Sequence, residues 1–595
     1  GVYCYKPETG DYSFYPFKES EQEHSTFLST AMWIDGSNRV WLGGDKGRLF
    51  LLDQSSGRYH SIKIDCLRSP NDQLQVITGN EHFIYLGFQY SGIIRYDLSK
   101  KSFSNLSLGV DEREVVFVHD ILIDENILWV ATEKGLYSYD ETTKRTTRLK
   151  RDYFDPLSLS DNAIYSVYKD RDNGLWVGTY FGGINYVSLV QNRFIESYYP
   201  LIDKFSLKGK AVREICQDTI GNIWIGTEDA GLNCFNPETK TMIPMDIGLD
   251  HYNVHGMKII GDELYIGVFS GGLNIYNLQT REISRYYISD NKYNVDNSIY
   301  SICYDQRKRI WICTQKGVYW FERSTGKFTP VKGLEDIYVH NICEDSKGNI
   351  WLASIGNSLI CYTIDGKIIN YQEILHQKTG YSINRILSVF EDIEKRLWIA
   401  TSGYGLICYD IVQDSMIRYS MSNGLPDDMA YKAVQDNLGN IWVGTNRGLV
   451  RINPSTNKIR VFTKSDGLLT NQFNFNSAFR DAQNRLYFGT IEGLSVVDPS
   501  EIKDDLTFPP VFLTNFQLHN KDVRPGVNSP LKQSITYTKE LTLDYNQNFI
   551  SFDYAVLRYG ASQKNMCYIK LEGLDKDWIL VDNTPRISYS NLRPG

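Results

Sequence analysis

The sequence predicts an all-β fold built from repeated four-stranded sheets, and three observations predict it. An aromatic residue recurs at a mean interval of about 45 residues, and in most repeats an Asp precedes it by six residues. The 595-residue chain is also rich in aromatic side chains, with 41 Tyr, 27 Phe and 11 Trp, which favour β-strands. A repeat of this length is typical of arrays of small sheets, each sheet being one structural unit.

The recurring aromatic residue, here called the anchor, occupies one register in eleven repeats. Around Trp224 it lies within Ile223–Thr227, an apolar run that ends in Gly-Thr and is followed by Gly231 and Leu232. Because eight of the eleven anchors are Trp, we expect these residues to pack inside the fold. The anchors are Trp41, Tyr85, Trp129, Trp176, Trp224, Tyr265, Trp311, Trp351, Trp398, Trp442 and Tyr487.

The recurring Asp marks a turn between two strands. Gly or Asn follows it, as in Asp436–Asn440, where these residues accept positive φ angles and the Asp carboxylate caps turn amides. Before the Asp, apolar and polar residues alternate, as in Ala163–Tyr168, which is the period of a strand and not of a helix. One repeat is therefore predicted to hold four strands. The recurring residues are Asp35, Asp170, Asp218, Asp305, Asp345, Asp392, Asp436 and Asp481.

Repeated sheets of this kind are expected to close into β-propellers. A single four-stranded sheet leaves both faces apolar, so neighbouring sheets must stack on each face. Rings usually close with four to eight blades, so we predict two tandem β-propellers, each seven-bladed, with the first truncated. The predicted ranges are 1–197 for the first, partial ring of about five blades and 198–503 for the second. A division into six and six blades also fits the spacing, and no helix of useful length is expected between the sheets.

The repeat ends near residue 500, and a third domain is predicted over 504–595. Pro509 and Pro510 interrupt the pattern, because adjacent prolines do not fit inside a sheet. We expect a small Ig-like β-sandwich, truncated at its C-terminal end because no closing strand follows. The predicted strands are Leu541–Tyr545, Phe549–Tyr554 and Met566–Leu571.

Composition and charge exclude several classes of function. The net charge of -8 comes without clusters of Lys and Arg, so we expect no nucleic-acid partner for this region. No apolar run approaches the ~20 residues of a membrane-spanning helix. The ten Cys lack a C-x-x-C pair and recur in fixed registers, which favours packing over disulfides or metal sites. Phosphate-binding loops and nucleophile motifs are also missing, and we expect no cofactor.

Two sequence features resemble known modules. The unit Asp218–Thr227, followed by Gly and Leu, resembles the repeat of two-component-regulator propellers. The tail resembles the Ig-like Y_Y_Y domain that follows such propellers, and together the two resemblances cover essentially the whole chain. The matching tail residues are Asn546–Phe552, Leu571–Asp575, Trp578 and Tyr589–Gly595.

This combination is similar to the extracytoplasmic sensor region of hybrid two-component systems, which detect oligosaccharides in glycan-degrading Gram-negative bacteria. The resemblance implies a periplasmic part of an inner-membrane protein, a sugar-derived ligand and a homodimer formed through the Ig-like domain. It also implies that a transmembrane helix, a histidine kinase, a receiver and a DNA-binding transcriptional regulator follow outside this region. Any kinase activity would then lie outside this chain.

A candidate ligand site is predicted on one rim of the rings, in a neighbourhood that spans the proposed ring junction, with the ligand either in one ring or in the cleft between the two rings. The loop after the second strand and the connection before the first strand of each sheet emerge on the same face, where the sequence is chemically diverse. Aromatic faces stack on sugar CH groups and planar polar groups pair with hydroxyls, while Arg213 suits a carboxylate or sulfate. Alternatively, the rings pack against neighbouring loops and the charges are solvated. The candidates are Tyr180, Phe181, Arg213, Glu228, Asp229, Asn253, His255 and Phe269.

Three other interpretations compete with a sensor without catalysis. A propeller lyase or glycosidase acting on polysaccharide needs converging carboxylates, and Glu228 and Asp229 are adjacent on one loop, where they rarely point at one bond. A WD-type protein-interaction scaffold is disfavoured because the Trp-Asp and Gly-His signatures are missing. A metal site at His251 and His255 is disfavoured because no helix carries this pair and no further ligands follow in register.

Overall fold

The chain divides into two compact units, Gly1–Val190 and Gln191–Gly595. The computed structural model describes residues 1–6, 11–17, 28–109, 115–153, 155, 157–171, 173–188, 195–201, 206–291, 294–502, 510–557, 567–581 and 586–593. Nearly all of their regular structure is β-strand, which confirms the predicted all-β fold. Among these residues, no helix is both long and apolar enough to cross a lipid bilayer.

The repeated sheet has the predicted layout. Its strands pair antiparallel in chain order, so the first strand of each sheet is innermost and the fourth is outermost. Every anchor lies on the second strand of its sheet, and Trp311, Trp398 and Trp442 are fully buried there. The aromatic period in the sequence is therefore the period of the sheets.

Unit 1 contains a run of sheets whose inner strands contact one another in succession. The ladder at its start joins Val2–Lys6 and Asp11–Tyr15. The sheets are Ser29–Ile34, Val40–Gly44, Leu49–Asp53, Arg58–Ile62; Leu74–Gly79, Phe83–Phe88, Ile93–Asp97, Ser102–Leu106; Val118–Asp124, Ile127–Thr132, Gly135–Asp140, Thr146–Leu149; and Ile164–Lys169, Gly174–Thr179, Ile184–Ser188.

Unit 2 contains a closed ring. Its inner strands contact one another in sequence, and the last of them contacts the first. Six sheets in chain order are Val212–Gln217, Ile223–Thr227, Leu232–Asn236, Thr241–Met245; Val254–Ile260, Glu263–Val268, Leu273–Asn277, Ile283–Tyr286; Ile299–Tyr304, Ile310–Thr314, Gly317–Glu322, Lys327–Glu335; Tyr338–Glu344, Ile350–Ile355, Leu359–Tyr362, Ile368–Asn370; Ile386–Glu391, Leu397–Thr401, Leu406–Asp410, Ser415–Tyr419; and Ala430–Gln435, Ile441–Thr445, Leu449–Asn453, Lys458–Phe462.

The two ends of this ring meet in one further sheet. Strands Phe473–Arg480, Leu486–Thr490 and Leu494–Val497 are completed by Ile195–Tyr198, which pairs antiparallel with Leu494–Val497. Because the outermost strand comes from the start of the unit and the other three come from its end, this sheet ties the two ends of the ring together. The strand Ile195–Tyr198 lies across the boundary predicted at residue 197. The predicted domain ranges stay predictions.

Small residues on the second strands let neighbouring sheets approach. A Cβ built on Gly226 would lie 2.5 Å from Val254 Cγ1, at the start of the next inner strand. At the joint, a Cβ on Gly489 would lie 2.6 Å from the carbonyl oxygen of Val212. Such distances are shorter than carbon atoms tolerate, so these positions require glycine for sheet-to-sheet packing.

The recurring Asp binds the turn and the anchor together. In the sheet of Trp442, one oxygen of Asp436 accepts the backbone N–H of Asn440 at 2.8 Å, and the other accepts the Trp442 indole N–H at 2.8 Å. Trp129 lacks an Asp six residues earlier, and its buried indole N–H has no partner among the described residues. The Asp thus caps turn amides, as predicted, and also satisfies a buried indole.

The expectation that no helix of useful length lies between the sheets is wrong at one place. Helix α1, Gln372–Thr379, lies between two sheets of the ring, buries Leu375 and ends at Gly380, whose φ of 77° suits a helix C-cap. Short 3-10 helices occur at Asp45–Gly47, Val295–Asn297, Met421–Asn423, Lys464–Asp466, Pro499–Glu501 and Ile535–Tyr537.

The tail of unit 2 forms two small sheets. One has the strand order Lys521–Asp522, Val511–Leu518, Ile550–Val556, Arg586–Tyr589, and the other pairs Cys567–Ile569 with Ile579–Val581. The strand predicted at Leu541–Tyr545 is wrong: Leu541 and Leu543 pack against the core around Phe516, but this segment has no ladder partner. The alternating pattern therefore marks burial and not strand pairing. Met566, in another predicted strand, lies outside the described residues.

Candidate functional site

A β-bulge near the start of the inner strands turns one side chain away from the regular pattern. In the first sheet of the ring the pairing register shifts between Val212 and Glu214, so Arg213 is the bulged residue. An extra residue in one strand re-aims its side chain and leaves it outside the ladder. The same shift produces the bulged residues Thr30, Gln75, His119, Tyr165, Arg213, His255, Tyr300, His340 and Leu387.

A backbone hydrogen bond places a second side chain beside the bulged one. In most of these sheets, the residue directly after the second strand donates its backbone N–H to the carbonyl of the residue two positions before the bulged residue. This bond is 2.9 Å for Tyr180 to Ala163, for Glu228 to Ala211 and for Phe269 to Asn253. We call the two side chains a rim pair. Tyr165 with Tyr180, Arg213 with Glu228, and His255 with Phe269 are rim pairs, so five of the predicted site residues occupy this one arrangement.

Arg213 and Glu228 form an ion pair at the mouth of the ring, the end at which the inner strands of unit 2 begin. Arg213 Nη1 lies 2.6 Å from Glu228 Oε1, and the side chains are 9% and 31% exposed respectively. Arg213 Nη2 lies 3.5 Å from His340 Nε2, and the guanidinium lies over the Phe475 ring at 5.4 Å. Arg213 Nε is buried and has no hydrogen-bond partner among the described residues.

His255 and Phe269 form the next rim pair, with ring centroids 5.8 Å apart. Phe269 is 40% exposed and also contacts the His251 ring at 5.6 Å, while His255 is only 4% exposed. Burial, with Arg213 and His340 nearby, lowers the pKa of His255 to about 2. His255 Nδ1 and the side-chain oxygen of Asn253 are buried, and neither has a partner within the described part of the chain.

The structure adds aromatic residues that the sequence analysis did not select. The ring centroid of Tyr300 lies 4.5 Å from that of His255 and 6.0 Å from that of His340. The ring centroid of Phe475 lies 5.3 Å from that of His340 and 5.0 Å from that of Tyr431. Tyr300, His340 and Tyr431 each lie five residues before a recurring Asp, which is the register of Arg213 before Asp218. That register was the signal available in the sequence.

His340 is held neutral at the centre of this cluster. Its Nδ1 lies 3.1 Å from the Leu387 carbonyl oxygen, and its side chain is buried. Burial and the neighbouring Arg213 lower the pKa of His340 to about 3. The mouth therefore contains two neutral imidazoles beside one guanidinium.

The joint sheet supplies the floor of the mouth. Its inner strand has a longer bulge, from Asn474 to Ser477, between the register positions of Phe473 and Ala478. Asn474 Nδ2 donates to Glu228 Oε1 at 3.3 Å, and Asn476 Nδ2 donates to the His340 carbonyl at 3.0 Å. The extra residues in FNFNS thus connect the last sheet to the first and fourth.

A buried carboxylate and an amine lie below this floor. Lys432 Nζ donates to the Asn476 carbonyl at 2.9 Å and lies 3.5 Å from Glu214 Oε1. Burial raises the pKa of Glu214 to about 7, although Lys432 acts in the opposite direction. The inner strands therefore contact one another through polar groups as well as apolar ones.

In unit 1 the same registers carry a stack of aromatic rings. Centroid distances are 4.0 Å for His119 and Tyr165, 5.0 Å for Tyr165 and Tyr180, and 4.3 Å for Tyr180 and Phe181. Tyr180 is 58% exposed and Phe181 87% exposed. His119 Nε2 lies 2.7 Å from Glu133, which completes another rim pair.

The eight predicted residues thus fall into separate groups. Tyr180 and Phe181 contact each other in unit 1, and the other six lie in unit 2, so a single neighbourhood that includes both groups stays a prediction. Asp229 accepts the Lys210 backbone N–H at 2.9 Å, whereas Glu228 accepts from Arg213. The two adjacent carboxylates therefore have different partners.

The chain carries two-component regulator propeller repeats. The sequence profile of that repeat, described as a two component regulator propeller, matches residues 158–181, 206–229, 295–316, 333–356 and 424–447. Each matched segment contains the inner strand, the turn and the anchor strand of one sheet. The predicted resemblance is thereby confirmed for the repeats.

Known proteins share the fold and part of the sequence. The extracellular domain of a hybrid two component system from B. thetaiotaomicron has a TM-score of 0.74 and 22% identity, over 100% of this chain and 85% of that one. The extracellular domain of a one component system from the same organism has a TM-score of 0.45 and 22% identity, over 100% of this chain and 80% of that one. At this identity the first likeness shows the fold.

A curated relative, Histidine kinase P4 from Formosa agariphila, is 26% identical over 347 residues, which are 56% of this chain and 25% of the relative. The matching part of the chain thus spans about a quarter of the length of that protein.

Proposed function

We propose that this chain is the ligand-sensing, extracytoplasmic region of a hybrid two-component signalling protein and that it binds an oligosaccharide at the mouth of the ring in unit 2. The observation that supports this most is the set of buried polar atoms without partners, Arg213 Nε and His255 Nδ1, beside exposed aromatic faces such as Phe269. A buried polar atom without a hydrogen bond costs about 1–3 kcal/mol. Ligand hydroxyls, which both donate and accept, would recover part of that cost.

The mouth also has the composition that sugars require. Tyr252 and Phe269 offer exposed ring faces for CH groups, and Asn253 offers a planar amide for hydroxyls. These side chains come from loops and bulges, while the sheets beneath them are packed rigidly. A site of this kind changes ligand by substitution at the rim and leaves the fold intact. Tyr180 and Phe181 are proposed as ligand contacts of unit 1 on the same reasoning.

The proposal assigns no catalysis to this region. Glu228 is bound to Arg213 and Asn474, and Asp229 caps a backbone amide, so neither carboxylate is placed to act with the other on one bond. The chemistry of the arrangement is recognition of hydroxyl groups by fixed donors and acceptors.

The signal would leave through the C-terminal tail. We propose a periplasmic location, a homodimer formed through the Ig-like tail and relay to a membrane-linked histidine kinase and transcriptional regulator outside this chain; no nucleic acid binds this region. The repeats and the curated histidine-kinase relative support this class of protein. A ligand shifts such a switch only if it binds one of two states more tightly than the other.

Isothermal titration calorimetry against a panel of defined oligosaccharides tests the proposal. We expect at least one uncharged oligosaccharide to bind and to be recovered unchanged after prolonged incubation. Arg213→Met is expected to weaken that binding at least about tenfold, since it removes a charged hydrogen-bond donor. Asp229→Asn, on the same loop, is the matched control and should bind like the wild type. Formation of cleaved products, or full affinity in Arg213→Met, would contradict the proposal.

A further inference from the structure

We propose that Glu228 determines specificity at this mouth: it neutralises Arg213 and makes the site one for uncharged, hydroxyl-bearing ligands, excluding sulfated or carboxylated ones. The inference rests on the proposed ligand site and reverses the sequence-based expectation that Arg213 binds an anion. It starts from the contact between Arg213 Nη1 and Glu228 Oε1 at 2.6 Å.

Glu228 is held in place from two sides. The same oxygen, Oε1, accepts from Arg213 at 2.6 Å and from Asn474 Nδ2 at 3.3 Å, and the backbone of Glu228 is fixed to Ala211. Arg213 is almost fully buried, whereas Glu228 is partly exposed. An anion approaching the guanidinium therefore meets a fixed carboxylate first.

The other groups at the mouth do not replace the charge that Glu228 cancels. His255 and His340 are neutral near pH 7, because burial lowers the pKa of each far below that value. Arg385 is an exposed cation one residue before an inner strand, where water screens its charge. Among the described residues the mouth thus pairs one buried guanidinium with one partly exposed carboxylate, while Glu214 and Lys432 lie below its floor.

This arrangement favours a hydroxyl over an anion. A hydroxyl accepts from a guanidinium N–H and donates to a carboxylate oxygen, so one hydroxyl satisfies both members of the pair at once. A sulfate or uronate oxygen accepts only, and it lies beside a like charge with no proton to share. Placing like charges together at a desolvated contact is costly enough to exclude the wrong ligand.

Inorganic sulfate is the probe for this inference. The midpoint of thermal unfolding is measured for the full chain as sulfate replaces chloride at constant ionic strength. Wild type and Asp229→Asn should show the same shallow, non-saturating rise that sulfate causes through preferential exclusion. Glu228→Gln keeps the shape of the side chain and removes its charge, so it should show an additional, saturable rise, with sulfate bound at least about tenfold more tightly than by wild type.

Two further variants assign that rise to Arg213. Glu228→Gln combined with Arg213→Met should lose the saturable part, and Glu228→Gln combined with Arg385→Gln should keep it. The inference is overturned if Glu228→Gln and Asp229→Asn respond alike. It is equally overturned if wild type binds sulfate as tightly as Glu228→Gln.

The sulfate measurement needs no oligosaccharide, so its outcome is independent of the proposed function. If the chain binds no sugar, the proposed function fails while the effect of Glu228 on Arg213 is still measured. With a sugar ligand in hand, an uncharged oligosaccharide should bind wild type, and its uronic-acid analogue of equal length should bind Glu228→Gln better than wild type. The opposite order would contradict the inference.

Discussion

Arg213 Nη1 and Glu228 Oε1 lie 2.6 Å apart because one backbone hydrogen bond, from the Glu228 N–H to the Ala211 carbonyl, holds the loop of Glu228 against the strand of Arg213. The same bond in unit 1 places Tyr180 against Tyr165, two rings instead of two charges. The backbone therefore fixes where rim pairs lie, and the sequence at two positions per sheet decides their chemistry. Fold and recognition are thus encoded at different residues.

The ion pair at the mouth is expected to serve binding more than stability. Replacing both members of a buried ion pair by apolar side chains of similar size is often neutral or stabilising, because the desolvation cost disappears, whereas removing one member leaves the other charge unpaired. Arg213→Met combined with Glu228→Leu should therefore leave the unfolding midpoint of the free protein within a few degrees of wild type, or raise it. Differential scanning calorimetry measures this, and a large fall would mean that the pair is mainly structural.

The anchors should differ in stability according to their Asp partner. Trp442→Phe removes a donor that Asp436 accepts at 2.8 Å, whereas Trp129→Phe removes an indole N–H that has no partner among the described residues. Trp442→Phe should therefore lower the free energy of unfolding by about 1–2 kcal/mol more than Trp129→Phe. Urea titrations measure both values, with Trp311→Phe as a second Asp-bonded case. Equal losses at all three anchors would contradict the role given to the Asp.

The sequence alone was sufficient to predict the repeated sheet, because local packing requires one strong signal in each repeat. That signal is an aromatic residue with an Asp six positions earlier. It was insufficient for the mouth, since Phe475 and Asn476 reach it only through a four-residue bulge in the joint sheet. Their contacts, such as Asn476 to His340, join residues 136 positions apart. Such contacts follow from ring closure, and no local period predicts them. Helix α1 was missed because a single buried Leu375 gives no helical period.

Stability should depend on pH through opposing groups in the ring. The pKa values of His255 and His340 are about 2 and 3 in the folded protein and about 6.5 when unfolded, so both stabilise above pH 6.5 and lose that contribution as pH falls. The pKa of Glu214 is about 7 when folded against 4.5 unfolded, so its contribution is greatest below pH 4.5 and is lost as pH rises through 7. Between pH 5 and 6, unfolding adds protons to the two His residues and removes one from Glu214. The two His outweigh Glu214, so the net free energy of unfolding should rise with pH in this range.

Two variants separate these contributions. Glu214→Gln removes the opposing group and should make the rise in stability from pH 5 to 6 steeper, by about 1 kcal/mol per pH unit. His340→Gln should make it shallower by a similar amount. Chemical denaturation at each pH gives the slopes. The assignment fails if Glu214→Gln flattens the dependence.

The joint sheet should be sensitive at Asn476, which is buried with a φ of 52°. Asn476→Ala loses the hydrogen bonds to the His340 carbonyl and to Asn341 Nδ2, and it keeps a Cβ in the left-handed region. Asn476→Gly loses the same bonds but accepts this φ freely. Both should destabilise, Ala by about 1 kcal/mol more than Gly, as measured by urea unfolding. The reverse order would show that the backbone there is not under strain.

The central claim is that ligand binds at the mouth of the ring in unit 2, and hydrogen–deuterium exchange with a bound oligosaccharide tests it most directly. The account predicts slower exchange in peptides that contain residues 211–214, 228–231 and 253–256, while the turn at 436–440, which lies at the other end of its inner strand, is unchanged. Protection confined to such turns, or no change at the mouth in the presence of a saturating ligand, would contradict it.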